Sequence, residues 1–227
     1  MKLTYLGHAT VLIELKRKKI LFDPFISPNE LAKHIDVDSL EVDYIFISHG
    51  HEDHVYDVER IVKNSGAKIV ANFEICQWFE KKGITNNHPM NTGGKWNFEE
   101  IGMVKLVSAV HSSTLPDGSS GGHPNGFVFE TEEGNFYFSG DTALSMEMKL
   151  IPLATKLNFA IFPIGDNFTM GYEDAALAAQ FVEVKNVVGI HFDTFGYIKI
   201  DQQKAKGHFE NKGLELTILE IGQSISI

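Results

Sequence analysis

The sequence predicts a mixed α/β fold, and three observations carry that reading. Short apolar runs bounded by turn residues dominate the first part of the chain, whereas strand and helix patterns alternate late in it. The 227 residues suit one domain, 1–227, in which folding buries roughly 70% of the unfolded surface. A histidine or aspartate follows one apolar run after another, the placement expected where loops converge over the carboxyl ends of strands.

Taken in order, strands are expected near 2–7, 10–15 and 19–23, with "KRKK" at 16–19 as a hairpin turn. A strand at 44–48 precedes the stretch "SHGHEDH", and a helix is expected from Val55 to about Lys63. "AKIVA" reads as a strand and "FEICQWFEKKG" as a helix closed by Gly83, with Cys76, Trp78 and Phe79 on its core face. "KWNFEE", "MVKLVSAV", "GFVFET" and "NFYFSG" read as strands, followed by a helix near 145–153. The strand "NFAIFPI", a helix from about Glu173, the strand "NVVGI", a helix through "QQKAKGHFENKG" and the strands "LELTIL" and "SISI" complete the chain. Many of the seventeen phenylalanines fall inside these runs and read as core.

Composition narrows the function classes. The net charge of −10 and the lack of a basic patch argue against a nucleic-acid partner and favour a small-molecule substrate. No apolar run approaches the ~18 residues of a membrane span, and the N-terminus has no signal-peptide pattern, so a cytoplasmic protein is expected. The single cysteine, Cys76, allows no internal disulfide. Homo-oligomerisation is left open.

His49, His51, Asp53 and His54 form H-x-H-x-D-H, a pattern expected by chance in roughly one chain in a thousand of this size. Imidazole and carboxylate donors suit zinc, manganese or iron, and the absence of clustered thiolates argues against soft-metal and iron–sulfur sites. Asp53 and His54 point away from His49 and His51, so two ions satisfy the geometry better than one. Each ion then draws on donors elsewhere, and His111, Asp141 and His191 each follow an apolar run.

Together with "VHS" at 110–112, "SGDT" at 139–142 and "GIHFDTF" at 189–195, the motif resembles the metallo-β-lactamase superfamily along nearly the whole chain. "TYLGHAT", "LFDPF" and "PIGDNFTMGYEDA" resemble more closely its metal-dependent hydrolases near the L-ascorbate-6-phosphate lactonases. The resemblance implies a four-layer αββα sandwich, two mixed β-sheets flanked by helices, with a dinuclear site at one edge. It implies His49, His51 and His111 around a first metal, Asp53, His54 and His191 around a second, and Asp141 bridging them. Zinc is the first expectation, then manganese or iron.

The activity implied is hydrolysis by a metal-bridging hydroxide acting on a lactone or a phosphate-bearing ester. Asp53 would ligate and orient the nucleophile, and His8 would support a metal ligand from behind or donate a proton to the leaving group. Asp23 and Asp166 are candidates for orienting ligand imidazoles. His123, in "GGHPNGF", belongs to a candidate substrate loop. Phe168 and Met170 read as packing residues. A nucleic-acid phosphodiesterase of the same fold and a non-catalytic metal-binding protein are the alternatives.

Overall fold

The computed structural model describes residues 1–227 and consists of two seven-stranded mixed sheets with helices outside them. The first sheet contains β1 (Lys2–Gly7), β2 (Thr10–Glu14), β3 (Lys19–Phe22), β4 (Tyr44–Phe46), β5 (Lys68–Asn72) and β6 (Asn87–Met90). The second contains β7 (Lys95–Phe98), β8 (Gly102–Ser108), β9 (Asn125–Glu130), β10 (Phe136–Phe138), β11 (Phe159–Pro163), β12 (Asn186–Ile190) and β13 (Glu215–Thr217). The last strand, β14 (Ser224–Ser226), returns to the first sheet and pairs antiparallel with β1. Each sheet begins with antiparallel pairs and continues in parallel through β3-β4-β5-β6 or β10-β11-β12-β13.

Strand periodicity explains the layering. Along β3 and β4, Ile20, Phe22 and Phe46 face the inter-sheet core, while Leu21 and Ile45 face the core under the helices. Both faces are dry, so these strands read as continuous apolar runs. The helices on that side are α1 (Glu52–Val55), α2 (Val58–Ser65) and α3 (Phe73–Lys81). On the outer side of the second sheet lie α4 (Tyr172–Phe181) and α5 (Gln202–Glu210). The small alanines Ala175, Ala176, Ala178 and Ala179 are all fully buried, which lets α4 lie close on the sheet. Between the sheets the phenylalanines stack, Phe22 on Phe138 and Phe129 on Phe136, each with ring centroids 4.5 Å apart.

Three elements differ from expectation. The helix expected over 55–63 is split into α1 and α2, because the buried Asp57 turns inward. Its carboxylate accepts from Ile26 N at 2.6 Å, Ser27 N at 2.8 Å and Ser27 Oγ at 2.5 Å. The helix expected near 145–153 is a 3₁₀ segment, Met146–Leu150, followed by Pro152, which disfavours helical backbone before it. Strand β6 was not expected; its Pro89 is tolerated because β6 is an edge strand.

Candidate metal centre

The carboxyl ends of β1, β3, β4, β8, β10, β11 and β12 lie along one edge, since the antiparallel and parallel pairings bring these strands into one direction. Chain turns there place side chains in the seam between the sheets. His8, Asp23 and His191 do so in left-handed backbone, with φ of 53°, 43° and 55°. This conformation costs on the order of 1–2 kcal/mol for a residue with a Cβ, and such strain concentrates at functional sites. Gly140, at φ 60°, precedes Asp141, and a Cβ there would come within 2.5 Å of Ser48 Cβ. The two sheets are tied at this edge by His191 N donating to His8 O at 2.7 Å and Asn125 N to Ser48 O at 3.0 Å.

Three groups of donor atoms form, each gathered within 4.8 Å, and one of them, Asp23 with His49 and His54, spans the other two. Of those two, one joins His49, His51 and His111; the other joins His8, Asp53, His54 and His191. Asp141 stands between them, its Oδ2 lying 3.1 Å from His191 Nε2, 3.3 Å from His54 Nε2 and 3.7 Å from His111 Nε2. The structure thus brings His49, His51 and His111 together, and Asp53, His54 and His191 together with His8.

The groups behind the histidines fix their orientation. Asp23 is fully buried and accepts from Ser48 N at 2.8 Å, Ser48 Oγ at 2.6 Å and His54 Nδ1 at 2.8 Å. Ser48 Oγ lies 2.9 Å from His49 Nδ1, so one carboxylate holds a histidine of each cluster. Ser112 Oγ lies 3.3 Å from His51 Nε2. With the outer N–H groups taken by Ser48 and Ser112, the lone pairs of His49 Nε2 and His51 Nδ1 face each other at 2.9 Å. That approach is repulsive unless a cation lies against both. His54 Nε2 and Asp141 Oδ1 are buried without a hydrogen-bond partner, a costly condition that a metal relieves. These donors fit divalent metal binding.

Electrostatics point the same way. Burial, reinforced by neighbouring His54, holds His49 well below the usual histidine range, and burial and His54 also lower His51. Burial lowers His111 against the pull of Asp141. These rings are therefore neutral near pH 7, the form that binds metal. Burial opposes charge on Asp141, but His191 and His54 outweigh it and hold the carboxyl well below its normal range. Burial likewise disfavours the His54 cation, yet Asp141, Asp23 and Asp53 together raise it well above normal. The carboxylates thus draw a positive charge onto the ring.

His8 is fully buried, its Nε2 3.0 Å from Asp53 Oδ2 and its Nδ1 3.0 Å from Thr194 Oγ1. Burial, followed by His191, lowers it to about 4, so it is neutral and its Nε2–H donates to Asp53. Asp166 departs from expectation: it is exposed and accepts from Asn167 N at 2.8 Å in its own turn, away from any imidazole. Its left-handed backbone (φ 62°) explains the aspartate better than an orienting role does. His123 is exposed and its Nε2 lies 3.2 Å from Ser108 Oγ. Phe168 is not packed away but 51% exposed, whereas Met170 is buried. Ser48, Ser112 and Thr194 were not singled out from sequence; each lies inside a histidine motif, the one signal available.

Comparison with known proteins accords with this architecture. Residues 18–192 match the family described as the beta-lactamase superfamily domain, which defines the class. The chain is 52% identical over 228 residues to a UPF0173 metal-dependent hydrolase of Christiangramia forsetii, covering 100% of both chains. It is 53% identical to the Flavobacterium johnsoniae counterpart, again over 100% of both. Among solved structures it resembles Igni18, a metallo hydrolase from Ignicoccus hospitalis, with 31% identity, a TM-score of 0.88 and coverage of 99% of this chain and 97% of that one. The chain belongs to the metallo-β-lactamase superfamily and, within it, to the UPF0173 metal-dependent hydrolases.

Proposed function

We propose that the chain is a dinuclear metal-dependent hydrolase that cleaves a lactone or a phosphate-bearing ester of a small molecule. The observation that carries this reading is Asp141. Its Oδ2 reaches histidines of both clusters, 3.1 Å from His191, 3.3 Å from His54 and 3.7 Å from His111, while its Oδ1 is buried without a partner. His49, His51 and His111 would hold one ion, and Asp53, His54 and His191 the other, with Asp141 shared. Two zinc ions fit this donor set, as do manganese or iron.

Bound there, the ions supply Lewis acidity and a water acidified toward neutrality. The protein's part is geometric and electrostatic. Asp23 and Ser48 lock the donor tautomers of His54 and His49. His8, by donating to Asp53 Oδ2, leaves Oδ1 free to accept a proton from a water in the seam and to set that water's orientation. Asp53 is the one carboxylate of the group with appreciable exposure, 28% of its side chain, so it is the one that meets a substrate.

Metal content per chain, measured on protein purified without chelator or metal-affinity resin, tests the reading. About two ions per wild-type chain are expected, falling below one in Asp141→Ala with loss of turnover. An Asp141→Ala chain that keeps both ions and its activity overturns the assignment.

A further inference from the structure

The seam is bordered by loops 7–10, 23–27, 48–57, 109–123, 139–146, 164–172 and 190–198. None of them contains a lysine or arginine, although the chain has 20. They carry eight acidic residues, among them Glu52, Asp117, Asp166 and Asp193 besides those of the centre. They also carry six of the twelve large hydrophobic side chains that the molecule exposes: Tyr56, Val110, Met146, Phe168, Phe195 and Tyr197.

The aromatic members form two contact groups, which meet in the chain at Phe195-Gly196-Tyr197. Phe195 lies 5.2 Å from the His8 ring and 6.2 Å from Phe25, which in turn meets Tyr56 edge-on at 6.2 Å. Phe168 meets Tyr197 in a T-shaped contact at 6.2 Å. Phe195 is 37% exposed, Tyr56 51% and Tyr197 79%. Exposed aromatics contiguous with a catalytic-type cluster mark a binding surface rather than surface noise. Away from the metal ions, a phosphate or carboxylate on the substrate is normally held by guanidinium or ammonium groups, and these loops supply no lysine or arginine.

We infer that the substrate is an uncharged lactone or ester bearing an aryl or alkyl group, which the wall formed by Phe195, Tyr197, Phe168 and Tyr56 binds beside Asp53. This rests on the hydrolase reading and selects the uncharged class from the two it allows. In the reaction, the oxygen of water bonds to the acyl carbon and the acyl C–O bond breaks. One proton of the water passes to the leaving alkoxide, and for a lactone the product is the ring-opened hydroxy acid. That product carries a new carboxylate, and no lysine or arginine of the rim is there to hold it.

Two measurements test the inference apart from its premise. Calorimetry on the metal-free chain uses 2-tetralone, the carbon analogue of dihydrocoumarin that cannot be hydrolysed, against 2-naphthyl phosphate. Tetralone is expected to bind and the phosphate not, with tetralone affinity falling about tenfold in Phe195→Ala and in Tyr197→Ala, the loss of one desolvated aromatic contact. The chain loaded with two zinc ions is expected to hydrolyse dihydrocoumarin at least a hundredfold faster than bis(p-nitrophenyl) phosphate. It should show a raised KM in the two variants for dihydrocoumarin and little change for γ-butyrolactone, which has no group to reach the wall. Equal binding of the phosphate, unchanged tetralone affinity in both variants, or preference for the phosphodiester overturns the inference and leaves the hydrolase reading standing. Tetralone binding as expected with no hydrolysis of any of these compounds overturns the hydrolase reading, and the substrate assignment with it.

Discussion

Asp23 is the residue on which both donor clusters depend, though it touches only one of them. It receives three hydrogen bonds in a fully buried position and passes orientation to His54 directly and to His49 through Ser48. Truncation leaves Ser48 N, Ser48 Oγ and His54 Nδ1 without their acceptor. Asp23→Ala is therefore expected to destabilise the fold by about 3 kcal/mol and to weaken zinc binding on the order of 10–100-fold, read by denaturant titration and by competition with a chelator. Asp166→Ala, whose carboxylate only closes its own turn, should leave zinc affinity unchanged. Equal losses in the two variants would mean that orientation by Asp23 is unimportant. Sequence spacing cannot separate these two aspartates, because both follow an apolar strand; what separates them is the direction of the side chain at the strand end, which tertiary packing sets.

At the scale of elements, the strand ends were legible because an apolar run must stop where the chain leaves the core, and the polar residue that follows then stands at the sheet edge. His49, His111, Asp141 and His191 were found that way, and the fold class with them. The break between α1 and α2 was not legible, since the residues from Val55 to Lys63 have ordinary helical character. It exists because Asp57 secures Ile26 and Ser27, a contact between segments far apart in sequence. Asp57→Ala should leave the backbone N–H groups of Ile26 and Ser27 unpaired and cost about 2 kcal/mol, lowering Tm by several degrees. Loop 23–27 should gain hydrogen-exchange rates above those of α3; unaltered protection there would show that the loop holds itself. Strand β6 escaped notice because His88 and Pro89 break the apolar pattern, which an edge position permits.

The whole molecule should respond to acid in a predictable direction. His8, His49, His51 and His111 are lowered in the folded chain, so below the ordinary histidine value of about 6.5 the unfolded chain binds more protons and stability falls with falling pH. Asp53 and Asp141 are lowered too, and their contribution is lost at still lower pH, as the pH drops below about 4. His54 is raised, and burial raises Asp23; these two run the other way, against the several lowered groups. The Tm of the metal-free protein should therefore drop steadily between pH 7 and pH 4.5; a flat or rising profile would contradict the assignment of neutral histidines. Zinc should leave over the same interval, as protons compete for the rings.

The division of the strands between the sheets has a mechanical consequence. Strands β1 to β6 and β7 to β13 come from two successive halves of the chain, and each donor cluster takes members from both, His49 and His51 with His111, and Asp53 and His54 with His191. On the proposed dinuclear reading, an ion in either place would be a reversible crosslink that closes a long loop, much as a disulfide would, in a chain whose lone Cys76 can form none. Chelation would cut both crosslinks at once and leave the halves joined by their shared core and by β14 clasped on β1.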